Sequence, residues 1–293
     1  MNIAKELLQR EEGDRISTVA DLSKTYGVSH GTVQLALKHL QDSGCIKLSS
    51  RGHMGTYIQK LDYNSLLKMA EIKSIVGVMP LPYTKMYEGL ATGIYTLSQE
   101  KELGFHMAYM SGVKNRLEML KDLRCDFAVM SLLAARENIE LGVPIEIVAD
   151  FGPKSFVNEH ILLFSKPGAD EIRDGMVVGI DYSSTDHSIL THHLCDGKDV
   201  SFKGLMYSQI LSQIINKKID AAIWNMDAVK GLGISLNCKP IKYSGSALMN
   251  TNAVIVALSE NIFLSSIIKR FIDVDYVLSI QKKVVSGEMD PSY

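Results

Sequence analysis

Residues 185–193 (TDHSILTHH) bring one carboxylate and three histidines together, a composition that could bind a metal ion or transfer protons. Two histidines on one helix bind the same metal when they are three or four residues apart. His187 and His192 are five apart, which separates them by about 140° around a helix of roughly 3.6 residues per turn. Asp186 and His193 share a helix face but lie roughly 10 Å apart along its axis. We therefore expect solvated helix residues here, not a metal site.

Other signatures of catalysis and of cofactor binding are incomplete. Gly231 and Gly233 lack the third glycine and the preceding strand of a dinucleotide site, and no GxxxxGK[ST] phosphate loop occurs. No cysteine has a neighbouring histidine to activate it, and the Gly-x-Ser-x-Gly nucleophile motif is absent. The sequence thus predicts no catalytic residue, no metal ligand and no cofactor. An enzyme or metal-binding protein acting on a small metabolite is the alternative.

Hydroxyl, phenol and amide side chains indicate a different kind of site, because many of them follow predicted strands. Ligands bind outside the carboxyl ends of strands in α/β sheets, where helix N-termini direct free N–H groups into the crevice. Each serine taken singly is equally consistent with an ordinary helix N-cap. None of the candidates is an arginine, so we expect partial neutralisation of an anion and modest affinity. The predicted ligand-binding residues are Tyr83, Ser111, Ser131, Ser183, Ser184, Thr185, Tyr207 and Asn225.

A second set of polar residues lies near the N-terminus, on elements that resemble those of DNA-binding proteins. Thr18 and Ser29 are suited to cap two helices, and Gly27 between them is suited to a left-handed helix end. Apolar residues at helical spacing within 33–40 predict the buried side of the second of these helices. Helix, tight turn and helix is the pattern of a helix-turn-helix motif.

Two short strands follow, over residues 45–49 and 56–60, and the turn between them carries Arg51 and His53. Together with the helices this hairpin predicts a winged helix whose tip contacts the phosphate backbone. Gln34 can form the two hydrogen bonds that recognise adenine in the major groove. A protein-interaction module without DNA contact is the alternative. The predicted DNA-binding residues are Ser29, His30, Thr32, Gln34, Lys38, Arg51 and His53.

The charge balance limits how tightly one copy of this module can bind. The first 60 residues carry eight lysines and arginines against six acidic residues, and the whole chain has a net charge of −2. Phosphate contacts supply much of the affinity for DNA, so binding by one copy should be weak and sensitive to salt. We therefore expect a homodimer that reads a pseudo-palindromic operator.

Residues 28–46 (VSHGTVQLALKHLQDSGCI) and 51–57 (RGHMGTY) resemble the winged-helix signature of the GntR family. In that family a serine begins the recognition helix, a threonine–valine pair follows, and a glycine precedes an isoleucine-bearing wing strand. This sequence departs from the family where arginines are usual, at His30 and Gln34. The resemblance covers residues 16–58 and implies that the partner is a double-stranded DNA operator.

Strands and helices alternate from residue 74 onward, and the alternation restarts at residue 176. Such alternation predicts two α/β lobes with largely parallel sheets. The segments that carry a resemblance to the type 2 periplasmic-binding-protein fold are 76–82, 123–131, 176–185 and 218–225. With the winged helix, the chain resembles transcriptional regulators of the YhfZ type. The resemblance implies a small-molecule effector bound between the lobes.

The predicted fold class is therefore α/β, an N-terminal winged helix-turn-helix followed by a two-lobed α/β domain. We expect the DNA-binding domain at 1–60, a linker helix at 61–73 and an effector-binding domain at 74–293. The linker helix is equally suited to packing on its own chain and to contacting a second copy. The expected bounds are 74–156 and 243–293 for lobe I and 157–242 for lobe II, with crossings near 151–158 and 240–250.

The sequence also suggests where the protein works. Its N-terminus is charged and lacks the apolar core of a signal peptide. No uninterrupted apolar run reaches the length of about 18 residues that a membrane span requires. The four cysteines are far apart and form no CxxC pair, which is typical of reduced thiols. We expect a cytoplasmic protein without a membrane partner.

Overall fold

The computed structural model describes residues 2–72, 74–101, 104–230, 236–241 and 249–293. A head of three helices and a two-stranded wing comes first, over residues 2–61. Its helices and strands are α1 (Asn2–Leu7), α2 (Val19–Tyr26), α3 (His30–Asp42), β1 (Ile46–Ser50) and β2 (Thr56–Leu61). The wing strands are antiparallel, and a short 3₁₀ turn at Gly52–Met54 joins them. The predicted winged helix is confirmed.

The sequence signals that predicted the head act as expected. The Thr18 side chain accepts a hydrogen bond from the Asp21 N–H, and the Asp21 carboxylate accepts one from the Thr18 N–H, which closes a capping box. Gly27 ends α2 with a φ of 63°, a left-handed backbone conformation that residues with a Cβ rarely adopt. Ser29 caps α3, and the inner face of this helix is buried at Val33, Leu37 and Leu40.

The predicted linker helix, α4 (Tyr63–Met69), packs on its own chain. Leu66 and Leu67 are buried in a hydrophobic core that continues from the head into the first α/β lobe. The Arg270 guanidinium lies 4.1 Å above the ring of Tyr63, and the Tyr63 hydroxyl donates to the Arg10 carbonyl at 2.9 Å. The ring of Phe271 meets Tyr63 edge-on. These contacts join the head to one lobe as a single packed unit.

The rest of the chain alternates strands and helices. Before the first crossing between lobes come β3 (Ile75–Met79), α5 (Lys85–Glu100), β4 (Phe105–Tyr109), α6 (Val113–Lys121), β5 (Phe127–Ser131), α7 (Leu132–Glu140) and β6 (Ile145–Asp150). The next elements are β7 (His160–Phe164), β8 (Val177–Ile180), α8 (Thr185–Leu194), β9 (Ser201–Gly204), α9 (Tyr207–Ile215), β10 (Ala221–Asn225), α10 (Met226–Lys230) and β11 (Asn237–Pro240). The last are β12 (Ala253–Leu258), α11 (Ile262–Phe271) and α12 (Val274–Ser286).

Two five-stranded sheets organise these elements, one in each lobe. Lobe I has the order β4-β3-β5-β12-β6, and lobe II has the order β11-β7-β10-β8-β9. In lobe I, β3 is parallel to β4 and β5, whereas β12 is antiparallel to both of its neighbours. In lobe II, β8 is parallel to β9 and β10, whereas β7 is antiparallel to β10. The carboxyl ends of the central parallel strands face the space between the lobes.

The chain passes between the sheets twice. It leaves lobe I after Asp150 and enters lobe II at His160, an interval that contains the predicted crossing at 151–158. It returns between Pro240 and Ala253. Residues 242–248 of the predicted second crossing lie outside the described residues. The predicted fold class, a winged helix followed by two α/β lobes, is confirmed. The expectation of largely parallel sheets is wrong, because each sheet has two antiparallel pairings beside its two parallel ones.

Candidate functional site

A polar cavity lies between the two lobes, at the carboxyl ends of their strands. Its volume is about 80 Å³. This is room for several waters or for a small polar ligand. Lobe I contributes Tyr83, Ser111 and Arg116, and lobe II contributes Ser184 and Tyr207. Because residues of both lobes form its walls, a ligand in this cavity would contact both at once.

The structure brings most of the predicted ligand residues to this space. Ser111, Ser184, Tyr83 and Tyr207 line the polar cavity. Asn225, Tyr83 and Tyr207 line an adjoining cavity between the same lobes. The remaining predictions, Ser131, Ser183 and Thr185, line neither cavity.

The hydroxyls of Ser131 and Ser183 have structural partners instead. Ser131 caps α7, accepting from the Ala134 N–H at 3.0 Å. Ser183 donates to the Asp181 carboxylate at 2.7 Å, and Thr185 is the first residue of α8. Ser184 caps α8 and also lines the cavity. It is therefore both a helix N-cap and a residue of the candidate site.

Hydrogen bonds connect the lobes across the cleft, among them one from the Lys114 N–H in lobe I to the Ser183 carbonyl in lobe II at 3.5 Å. The Ser131 hydroxyl in lobe I donates to Asp186 Oδ1 in lobe II at 2.7 Å. Asp186 is buried, and burial raises the pKa of its carboxyl to about 6, an effect that the Ser131 hydrogen bond and the Arg116 charge oppose. The expectation that Asp186 is solvated is wrong, because closure of the lobes covers the first turn of α8.

Arg116 is the cation of the cavity, and sequence reasoning did not identify it. Its side chain is 3% exposed, and its Nη1 donates to the Met110 carbonyl at 2.8 Å. Its Nε has no hydrogen-bond partner among the described residues. Burial lowers its pKa to about 10, so the guanidinium remains charged at neutral pH. The sequence analysis expected no arginine among the residues around this space, whereas the structure places Arg116 there.

His187 lies in the wall of the cavity but both of its ring nitrogens are engaged. The Asp181 N–H donates to Nδ1 at 3.1 Å, so Nε2 carries the proton and donates to the Ile223 carbonyl at 3.2 Å. Burial lowers the pKa of His187 to about 4, and the ring is neutral at physiological pH. His187 is thus a structural residue, and the expectation that it is solvated is also wrong.

The histidines of the TDHSILTHH segment do not converge. His192 and His193 are exposed, whereas His187 points inward. Within the described ranges, no group of three or more histidine, cysteine, aspartate or glutamate residues is placed to hold a metal ion.

Replacing His187 by glutamine should reduce the acid sensitivity of the fold. The unfolded chain takes up a proton near pH 6.5 and the folded ring only near pH 4, so the histidine contributes stability above pH 6.5 that is lost as the pH falls toward 4. The shift corresponds to about 3 kcal/mol at 1.36 kcal/mol per pKa unit. The free energy of unfolding, measured with urea from neutral to acid pH, should fall less steeply in His187→Gln than in wild type. His193→Gln is the exposed control and should follow wild type; equal slopes in all three proteins would contradict a neutral buried His187.

The adjoining cavity is aromatic. Its volume is about 190 Å³, and its lobe II wall includes Tyr207, Leu211 and Trp224. Tyr207 stacks on Trp224 with ring centroids 4.1 Å apart and planes 8° apart. Tyr83 lies 6.4 Å from Tyr207, and both tyrosines line the two cavities. The polar and the aromatic compartments are therefore contiguous.

The head presents the predicted DNA-binding residues to solvent. All seven are exposed, on α3 or at the wing tip: Ser29, His30, Thr32, Gln34, Lys38, Arg51 and His53. The Arg51 guanidinium lies 4.4 Å above the ring of Tyr57, which fixes it at the base of the tip. Arg15 packs against Gly55, the residue that ends the wing turn just before β2, and adds a cation to this side of the head. The arrangement suits contact of α3 with a groove and of the wing with phosphates.

Comparison with known proteins agrees with this arrangement. A helix-turn-helix domain model matches residues 11–58, and the model of the YhfZ C-terminal domain matches residues 62–293. The head and the two lobes define a protein of the helix-turn-helix class with a periplasmic-binding-protein-like domain. More particularly, the chain belongs to the YhfZ family. It is 34% identical to YhfZ of Escherichia coli strain K12 over 293 residues, which are 99% of this chain and 95% of that protein.

Solved structures show the same fold. The crystal structure of YhfZ from Shigella flexneri superposes with a TM-score of 0.66 at 32% identity, covering 78% of this chain and 97% of that one. A periplasmic substrate-binding protein of an ABC transporter from Coxiella burnetii superposes with a TM-score of 0.51 at 15% identity, covering 74% and 100%. No helix in the described part of this chain has the length and apolar character needed to cross a membrane.

Proposed function

We propose that this protein is a transcriptional regulator whose GntR-like head binds a double-stranded DNA operator as a homodimer under the control of a small effector. The effector is polar or anionic and binds between the lobes, in the cytoplasm and without catalysis. The observation that carries the proposal is the buried Arg116, which holds an unpaired Nε donor at a cavity shared by both lobes. A buried cation with a free donor favours an anionic ligand.

The contacts of the head suggest how the two activities are linked. The head and lobe I share one hydrophobic core, and Tyr63 with Arg270 reinforces the junction. Lobe II contacts lobe I across the cleft, for example through Ser131 and Asp186. A ligand that alters the closure of the lobes would thus change the position of lobe II relative to the head. If that change alters the affinity of the dimer for DNA, DNA must alter the affinity for the effector equally.

The chemistry of the cavity supports binding rather than catalysis. His187 engages both ring nitrogens with main-chain groups, so neither is available to move a proton. Asp186 accepts from Ser131 and lies against the charge of Arg116. Hydroxyl groups at Tyr83, Ser111 and Ser184 form much of the remaining rim, which also contains Asp181 and His160.

Selection from a random pool of double-stranded DNA should identify the operator. We expect enrichment of a motif with two inverted half-sites whose centres are about one helical turn apart, or a multiple of it. The retained fragments should dissociate as the salt concentration rises. The full chain with the exposed residues Gln34, Lys38 and Arg51 replaced by alanine is the control, because the head shares its core with lobe I and cannot be removed without exposing that core. Equal retention of all sequences by both proteins would refute operator binding, and a motif with one half-site would refute the dimer.

A further inference from the structure

The aromatic compartment beside the polar cavity has a composition of its own. Among the described residues that line it, none carries a charge, and four are aromatic: Tyr83, Tyr87, Tyr207 and Trp224. Lobe I contributes the first two and lobe II the others. The compartment is therefore enclosed by both lobes, as the polar cavity is, but it suits an uncharged group.

Its size suits one ring. The open volume is about 190 Å³, whereas an apolar cavity of about 150 Å³ is enough to bind benzene. The rings of Trp224 and Tyr207 are stacked with nearly parallel planes, so together they form a rigid aromatic part of the wall. Flat aromatic walls favour planar ligands, because offset stacking and edge contacts add to the gain from burying apolar area.

Two buried donors without partners mark the two ends of the site. Arg116 Nε and Trp224 Nε1 both lack a hydrogen-bond partner among the described residues. Arg116 is 3% exposed and lines the polar cavity, and Trp224 is 6% exposed and lines the aromatic one. Buried polar groups of native proteins are nearly always hydrogen-bonded, so such donors indicate an absent acceptor.

We propose that the effector is an aromatic carboxylate, with its carboxylate on Arg116 and its ring in the compartment of Tyr207 and Trp224. This inference rests on the proposed function, since it specifies the ligand of the same interlobe site. The three tyrosines shared by both cavities place the anion site beside the ring site. A carboxylate joined to a ring by a short linker occupies both, whereas an aliphatic carboxylate leaves the aromatic compartment unfilled.

Trp224 is the only tryptophan of the chain, so intrinsic fluorescence reports directly on the compartment. Three probes separate the contributions of ring and charge: phenylacetate, acetate and phenylethanol. Phenylacetate should change the tryptophan emission in a saturable manner. Burial of its ring should make it bind at least about tenfold more tightly than acetate. Phenylethanol, which lacks the charge, should bind more weakly than phenylacetate.

Two variants remove the ring site while the anion site remains. Trp224→Leu removes the indole ring that stacks on Tyr207. Ala228→Phe instead fills the compartment from α10, and it serves as the test if Trp224→Leu does not fold. In either variant, the affinity for phenylacetate, measured by calorimetry or thermal shift, should fall to the affinity for acetate. Tyr95→Leu, which removes an exposed aromatic residue of α5, is the matched control and should bind as wild type.

The outcomes distinguish this inference from the proposal on which it rests. If acetate and phenylacetate bind wild type equally, and both lose affinity in Arg116→Met, the anion site stands and the aromatic class is refuted. If phenylacetate binds tightly to both Trp224→Leu and Ala228→Phe, its ring lies elsewhere and the inference is again refuted. If neither carboxylate binds wild type at all, the inference and the effector-binding part of the proposed function both fail.

Discussion

Replacing Arg116 by methionine should strongly weaken the binding of small carboxylates to the interlobe cavity while leaving the fold intact. Hydrogen bonds to charged groups contribute about 1.5–3 kcal/mol, and each 1.4 kcal/mol is about tenfold in affinity. We therefore expect the affinity to fall by roughly ten- to hundredfold or more. Without the guanidinium an anion would also face the carboxylates of Asp181 and Asp186, both of which line the cavity.

The melting temperature should change little, since methionine replaces a desolvated cation with an apolar chain of similar length. Asp186 keeps its hydrogen bond from Ser131 and can remain protonated to a higher pH. Lys114→Met removes the same charge from the exposed face of α6 and is the matched control. Calorimetric titration with phenylacetate and acetate measures the effect. Wild-type affinity in Arg116→Met would show that the anion is held elsewhere.

Local patterns were sufficient to predict the head. Thr18, Gly27 and Ser29 act within one turn of the chain, and each has the role that its residue type suggests. The wing also follows from alternation and a glycine-rich turn. Capping and turn geometry depend on a few neighbouring residues, so one sequence contains the information. Exposure of the DNA-binding candidates of α3 follows from its helical periodicity, and exposure of Arg51 and His53 follows from their place in the wing turn.

Some elements of the lobes could not be predicted by periodicity. Helix α7 was not predicted, because its apolar start continues the buried strand β5 in one run, FAVMSLLAA. Periodicity alone does not separate a buried strand from a buried helix segment in such a run. The short elements α10 and β11 were missed for a related reason, because each spans too few residues to show a period.

The charged part of the site escaped prediction because it depends on tertiary structure. Arg116 lies on α6 among polar residues and resembles an ordinary surface cation in sequence. Only the closure of two lobes contributed by distant parts of the chain buries it, together with Asp186 of α8. The hydroxyl residues were found because they follow strands, which is a local signal. A buried partner some 70 residues away leaves no such signal in one sequence.

Changes to the head should separate affinity from specificity. In Lys38→Ala with Arg51→Ala, we expect weaker binding to all DNA sequences, because both side chains are exposed cations placed to contact phosphates. The slope of log affinity against log salt should become shallower by about one for each phosphate that the variant no longer neutralises. Gln34→Ala should instead relax the preference at one base pair, by about 1–3 kcal/mol of discrimination.

The matched control for these changes is Lys47→Ala. Lys47 is exposed and pairs with Lys60 at the end of the wing hairpin opposite the tip, so this substitution removes one charge without touching the proposed contact surface. Fluorescence anisotropy with the selected operator, at several salt concentrations, measures both affinity and slope. A variant of Lys47 that weakens binding as much as the double variant would indicate a general charge effect. Unchanged binding in the double variant and in Gln34→Ala would mean that the winged helix does not read DNA.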